Sequence, residues 1–325
     1  MKFLTLPGRR WLWPSIALVV ILLTNLLLSP GFFSVRIVDD HLYGSLIDIL
    51  HRGTPLAFVA LGMAVVIATG GIDLSVGAII AICGATMAVL LKGAGLSPAL
   101  VLPIVLLVGL ACGLWNGLLV AFLDIQPIVA TLILMVAGRG IAQMITDGQI
   151  VTFHSDFFSL IGSGFFLGLP VRVLVVIGFA ILLALLLRRT ALGLFLESVG
   201  GNAAASRLAG IEARWIRLAA YAVSGICSAL AGIVLTADIK GADANNAGLW
   251  LELDAILAVV IGGAALKGGR FALGLTLIGV LVIQSLTTSI LVSGLPSQYT
   301  LVVKAIVVLA VLFLQSPRLQ RLRSK

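Results

Sequence analysis

The side chains that could do chemistry in this sequence are few, and three stretches concentrate them. The first is Ala68-Thr-Gly-Gly-Ile-Asp-Leu-Ser-Val-Gly77, where a glycine pair, Asp73 and Ser75 interrupt two short apolar runs. This reads as a break in helical structure, with Asp73 free to cap the helix that follows. Broken helices at membrane depth persist only inside protein or beside water, so the segment is either a capped turn or part of a pathway through the molecule. The second stretch, Thr190 to Ile211, contains Glu197, the pair Gly200-Gly201, Asn202 and an alanine-rich run closed by Gly210. The glycine pair predicts a turn, Asn202 an N-cap, Ala203–Ala209 a helix, and Gly210 its C′ residue. A helix of about two turns is unstable alone in water and must dock; its small side chains, Ala205 among them, suit a groove on a partner. The third stretch runs from Asp238 to Asp254. It carries Asn245, Asn246, Glu252 and Asp254 into an apolar run, as helix-start acids or as groups able to bond a passing solute or an external partner.

Isolated polar residues inside apolar runs complete the inventory: Asn116, Gln126, Arg139, Gln143, Gln284 and Lys304. Such groups are costly in a membrane and face protein or a water-filled interior. Arg139 either snorkels or pairs with an acid, with Asp73 and Asp254 as candidates. The set is too sparse for a proton relay, whereas an uncharged polyhydroxyl solute needs few charges along its path. No GxxxxGK[ST] phosphate loop occurs, and the glycine-rich Gly262–Arg270 lacks a hydroxyl after Lys267. HExxH, GxSxG and clustered Cys/His patterns are missing too, so no catalytic residue, metal site or cofactor is assigned. Cys83, Cys112 and Cys227 lie in apolar runs, without CxxC spacing, as small buried hydrophobes.

The elements that must position these groups are membrane spans. Of 325 residues, 61% are hydrophobic and only 10% charged, against about 25% charged in soluble domains. Ten candidate spans emerge at roughly 12–29, 54–69, 76–92, 98–122, 127–146, 170–187, 215–237, 251–266, 272–292 and 299–315. Those at 54–69, 76–92 and 251–266 are short. Placing the N-terminus in the cytoplasm puts 14 of the 21 Lys and Arg on the inside, including the tail residues Arg318, Arg321, Arg323 and Lys325. Both termini are then cytoplasmic, and 188–214 is an inside loop. The +8 net charge therefore orients a membrane protein and does not mark a nucleic-acid binder. Small-residue runs such as Gly109–Gly113 and Ile261–Ala265 predict close helix packing. The reading is an all-α polytopic bundle of about ten transmembrane helices, a single membrane domain over 1–325.

Four stretches in matching order, ATGGIDLSVGA (68–78), QPIVATLILMVAGRG (126–140), TALGLFLESVGGNAAASRLAGI (190–211) and LELDAILAVVIGGAALKGGR (251–270), resemble the ribose/xylose-type permeases of ATP-binding-cassette sugar importers. Residues 241–263 are most similar to the galactofuranose-importer branch of that family. The resemblance implies a type II importer permease in the bacterial inner membrane, moving a sugar of the galactofuranose or galactose type and binding no ATP itself. It implies a cytoplasmic cassette ATPase, a second and different permease chain, a periplasmic sugar-binding protein and surrounding lipid as partners. It maps the family's cytoplasmic coupling segment onto Glu197, Gly200, Gly201, Asn202, Ala205 and Gly210. Many relatives carry Tyr-Ala-Ile-Gly-Gly-Asn where this chain has Glu197, Ser198 and Val199 before Gly200. Asp73, Ser75, Asn116, Gln126, Arg139, Asn245, Asn246, Glu252 and Asp254 remain as candidates for pathway or gate. A stand-alone secondary transporter or channel is the competing expectation, and it predicts transport without ATP or partners.

Overall fold

The computed structural model describes residues 9–28, 31–38, 41–294, 299, 301–306 and 309. The basic C-terminal tail and most of the 299–315 span lie outside them, although 301–306 are helical. Twelve helices are otherwise defined among the described residues. They are α1 (Arg9–Leu28), α2 (Ser45–Ala68), α3 (Val76–Lys92), α4 (Pro98–Ala121), α5 (Pro127–Ile145), α6 (Asp156–Ser163), α7 (Val171–Arg189), α8 (Leu192–Gly201), α9 (Ala203–Leu208), α10 (Ala213–Ile239), α11 (Leu251–Ile261) and α12 (Leu273–Val292). Six of these, α2, α4, α5, α7, α10 and α12, are long and apolar enough to cross a membrane. The architecture is an all-α polytopic membrane bundle.

Most predicted spans fall on a helix with edges within about three residues. Two differ for physical reasons. The span expected to begin at residue 54 belongs to a helix that starts at Ser45. In its polar first turns His51 is half-buried and contacts Arg172 of α7, while Arg52 is exposed. The interval 251–266 contains only the eleven residues of α11 before a turn at Gly262–Gly263. At 1.5 Å per residue α11 reaches roughly 16 Å, about half of a hydrocarbon core.

Helix starts follow local chemistry. Pro98 and Pro127 occupy the first positions of α4 and α5, where a missing N–H costs nothing. At the end of the bundle remote from α8 and α9, short antiparallel pairings tie the connections together. β1 (Arg36–Val38) pairs with β2 (His41–Tyr43), β4 (Phe165–Phe166) with β5 (Leu169–Pro170), and β3 (Val151–Thr152) with β6 (Gly241–Ala242). The last pairing bridges the segments that follow α5 and α10.

The core centres on α2, buried without interruption from Gly53 to Ala68, and on α10, which crosses α2, α3 and α4. Small residues make the α4–α10 crossing possible. A methyl added to Gly225 would overlap the carbonyl oxygen of Gly109 and sit 2.9 Å from the Gly113 Cα. The backbones thus touch, in keeping with the expectation for Gly109–Gly113. Such packing replaces the hydrophobic drive that is missing between helices in lipid. Gly225→Val is expected to destabilise the bundle by about 1–3 kcal/mol or more and to lower the yield of monodisperse protein. Gly178→Ala on α7, whose added methyl meets nothing within 4 Å, is expected to be neutral. Thermal unfolding of the two variants in detergent compares them.

Candidate functional site

The break between α2 and α3 folds around the carboxylate of Asp73, which is fully buried. Asp73 Oδ1 accepts from the Ser75 backbone N–H at 3.0 Å and from Ser75 Oγ at 2.6 Å, while Oδ2 accepts from Ser224 Oγ of α10 at 2.7 Å. Asn116 of α4 donates its amide to Ser75 Oγ at 2.7 Å. One residue earlier, the Ile72 carbonyl accepts from Tyr221 Oη of α10 at 3.3 Å. The capping expected of Asp73 is not found: Ser75 occupies the N-cap of α3 without a side-chain cap bond, and the Asp73 carboxylate closes a local turn onto the Ser75 amide instead. Asp73, Ser75 and Asn116 form one node that joins the break to α4 and α10. A buried carboxylate is tolerable where several donors face it.

Residues 188–214 form the end of the bundle that carries α8 and α9. Asn202 caps α9 as its sequence predicts, Oδ1 accepting from the Ala205 N–H at 3.0 Å. Gly210 follows with φ +83°, the left-handed C′ conformation that favours glycine. Gly200 and Gly201 are a correction: they are the last residues of α8, not a turn. The chain bends at Asn202 instead, whose extended backbone (φ −160°) separates the two helices. Helix α8 buries Leu196 and Val199 among Val65, Val66 and Ala68 of α2 and Tyr221 of α10, with Glu197 half-buried beside them. Helix α9 buries Ser206 but leaves Ala205, Arg207 and Leu208 exposed, Leu208 at 92%. A cleft of about 550 Å³ opens between α9 and the start of α10, lined by Asp124, Arg207, Arg214 and Arg217 among others. Gln126, exposed at the start of α5, lines an adjoining cleft of about 280 Å³ with Gly70, Gly71 and Tyr221.

At the opposite end, α5 is fastened to the segment between α10 and α11. Arg139 donates to the carbonyls of Ala244 (3.2 Å) and Ala247 (2.6 Å), and Gln143 donates to Asn245 Oδ1 at 2.7 Å. Asp243 organises that segment by accepting from the Asn245 and Asn246 amides and the Asn246 side chain. The Asn246 bond leads the effects that hold its carboxyl below the usual range. Glu252, 6% exposed, lies over Gly77 of α3. The acid partners considered for Arg139 are corrected here. Asp73 faces hydroxyls and an amide, and Asp254 forms an ion pair with Lys304 at 2.8 Å. Among the described residues no carboxylate lies within ion-pair distance of Arg139.

Sequence reasoning missed a third polar cluster. Arg172, only 1% exposed at the start of α7, pairs with Asp238 of α10 at 2.9 Å and contacts His51 of α2. All three sit at predicted span ends or in connections, where solvation is the default reading, and nothing local marks them as mutual partners. Among the described residues no group of His, Cys, Asp and Glu could hold a metal ion.

Glycine-tight crossings, a broken helix pinned by a buried acid and a capped short helix at one end make this a polytopic all-α membrane bundle. The chain belongs to the family described as the permease component of the branched-chain amino acid transport system, matched over residues 45–312. Permeases of this family are non-catalytic subunits, and ATP is hydrolysed on a separate ATPase subunit. The galactofuranose transporter permease protein YtfT of Escherichia coli (strain K12) is 56% identical over 319 residues, covering 97% of this chain and 93% of that protein. The fructose import permease protein FruF of Bifidobacterium longum (strain NCC 2705) is 37% identical, over 95% of this chain and 88% of the relative. The ribose import permease protein RbsC of Haemophilus influenzae is 38% identical, over 90% and 89%. No solved structure matches. The chain is therefore a membrane-embedded permease subunit, closely related to sugar-import permeases.

Asp73→Ala strands three buried donors, each worth about 1–3 kcal/mol when left unpaired. It is expected to lower stability by about 3 kcal/mol or more, with Asp73→Asn milder because the amide oxygen still accepts. Thermal unfolding of both variants in the same detergent measures the difference.

Proposed function

We propose that this chain is the membrane-spanning permease of a type II ATP-binding-cassette importer that carries a sugar of the galactofuranose or galactose type across a bacterial inner membrane. The 56% identity to a galactofuranose transporter permease along nearly the whole of both chains supports the substrate class. The observation that carries the coupling role is α9: a short helix, capped by Asn202 and closed by Gly210, with an almost fully exposed Leu208. In this reading Glu197, Gly200, Gly201, Asn202, Ala205 and Gly210, within 188–214, engage a cytoplasmic cassette ATPase, and 1–325 is one permease domain.

The ten-span arrangement, with both termini cytoplasmic, counts the six long helices, the shorter α1 and α3, the half-length α11 and the segment beginning near residue 299. The excess of Lys and Arg on the side of α8 and α9 supports that orientation. Two permease chains pair around one pathway, the second a different paralogous subunit, and a periplasmic binding protein delivers the sugar. Nucleotide binding shifts the bundle between inward and outward access through the difference in affinity for the two states. At the outer end, Arg139, Asn245, Asn246, Glu252 and Asp254 are assigned to pathway or gate, and Gln126 to the same pathway at the inner cleft. Asp73, Ser75 and Asn116, all fully buried, are assigned to the same pathway-or-gate set as the node that fixes the start of α3.

Two variants test the coupling role. Asn202→Leu removes a cap worth about 1 kcal/mol to α9 and is expected to cut sugar-stimulated uptake while membrane insertion stays normal. Leu208→Asp is expected to abolish co-purification of the ATPase with the permease. Normal uptake in the first and normal recruitment in the second would remove the assignment. At the other end, Arg139→Met frees the 244–247 carbonyls and is expected to lower uptake several-fold with ATPase recruitment unchanged; transport assays on the reconstituted complex read both.

A further inference from the structure

The glycines of the segment between α11 and α12 do not match the phosphate-loop pattern, yet their geometry is specific. Ala68 is the last residue of α2, so its carbonyl lacks an intrahelical partner. That carbonyl accepts from the Gly269 N–H at 2.9 Å. Gly200, near the end of α8, lies directly against the same atoms: a methyl on it would overlap the Ala68 oxygen and come within 2.6 Å of the Gly269 nitrogen. Gly268, at φ +90°, closes the arrangement. A methyl there would come within 2.8 Å of both the Gly200 oxygen and the Gly70 nitrogen. Three chain segments thus meet backbone to backbone at the rim of the α2–α3 break, three residues before Asp73.

We propose that Gly200, Gly268 and Gly269 form a rigid joint that transmits displacement of α9 to the Asp73 node. The inference rests on the reading of α9 as the helix gripped by the ATPase, and these glycines are positioning residues acting through the Asp73 node. Helix α9 follows Gly200 after two residues, so the lever has almost no slack. On the far side, Gly70 leads through Ile72, held by Tyr221, to the Asp73 carboxylate and thence to Asn116 of α4 and Ser224 of α10. Backbone contacts suit such a joint because they lack side-chain rotamers that could absorb a displacement. Leu196 and Val199 keep α8 seated while it moves.

The test uses the complete transporter, with ATPase, second permease and binding protein, in proteoliposomes. Gly268→Ala is expected to leave ATP hydrolysis within about twofold of the unmodified complex while sugar moved per ATP falls roughly tenfold or more, the range of a typical coupling energy. Gly263→Ala is the control: its φ is +85° but a methyl there meets nothing within 4 Å, so it shares the backbone strain without the contact and should transport normally. Unchanged transport per ATP in Gly268→Ala, or an equal loss in Gly263→Ala, overturns the joint. Should Gly268→Ala fail to fold, hydrogen exchange on the unmodified complex decides. Peptides covering 66–72, 196–202 and 266–270 must change protection together between nucleotide-free and ATP-bound states, and opening of one alone contradicts the proposal. Ala205→Cys, cross-linked to the ATPase, separates the two readings. Absence of the link in the otherwise unmodified complex defeats the assignment of α9, and the exchange data still judge the joint.

Discussion

A carboxylate sealed inside an apolar bundle must be answered by donors from whatever packs against it, and Asp73 imposes that condition on this molecule. Its oxygens face the Ser75 amide, the Ser75 hydroxyl and Ser224. The α2–α3 break therefore holds its place only while α10 stays beside it, with Asn116 bringing in α4 through Ser75. The α4–α10 crossing has to be close enough for this, which the contacts of Gly109, Gly113 and Gly225 allow. A node of this kind binds helix ends with direction and register, where apolar surfaces in lipid supply neither.

The two ends of the bundle are built differently around that centre. One end presents α8 and α9, the first anchored by Leu196 and Val199 and the second largely bare. The other is closed by short strand pairings, by the Arg172–Asp238 pair and by Arg139 and Gln143 reaching to the segment before α11. In the proposed reading of α9 as the helix gripped by the ATPase, a stiff middle between that helix and a fastened rim is what alternating access would need. Motion entering at one end can be released at the other only if the middle does not absorb it.

Much of this was legible in the sequence because the signals were local. Asn202 before an alanine run and Gly210 after it specify a capped helix from chemistry within nine residues. The glycine pair with Asp73 marks a break for the same reason. Apolar length marked most spans to within a turn. What was not legible depended on distant partners. Gly200-Gly201 looks like a turn by local preference, but packing of Gly200 against Ala68 and Gly269 makes glycine necessary there within a helix, while a methyl on Gly201 would meet nothing within 4 Å. Arg139 finds backbone carbonyls, Asp254 finds Lys304, and Arg172 finds Asp238 and His51. None of these pairings leaves a trace in spacing, since each joins residues fifty or more positions apart.

Transport by the complete complex bears most directly on the claim that this chain is an ATP-driven sugar permease. The measurement is uptake of labelled galactofuranose into proteoliposomes containing the permease, its partner permease and the ATPase, with binding protein outside and ATP sealed inside. Accumulation that requires both ATP and the binding protein is the predicted result. Uptake by the isolated chain in the absence of ATP, or equal uptake with hydrolysis blocked, would contradict it.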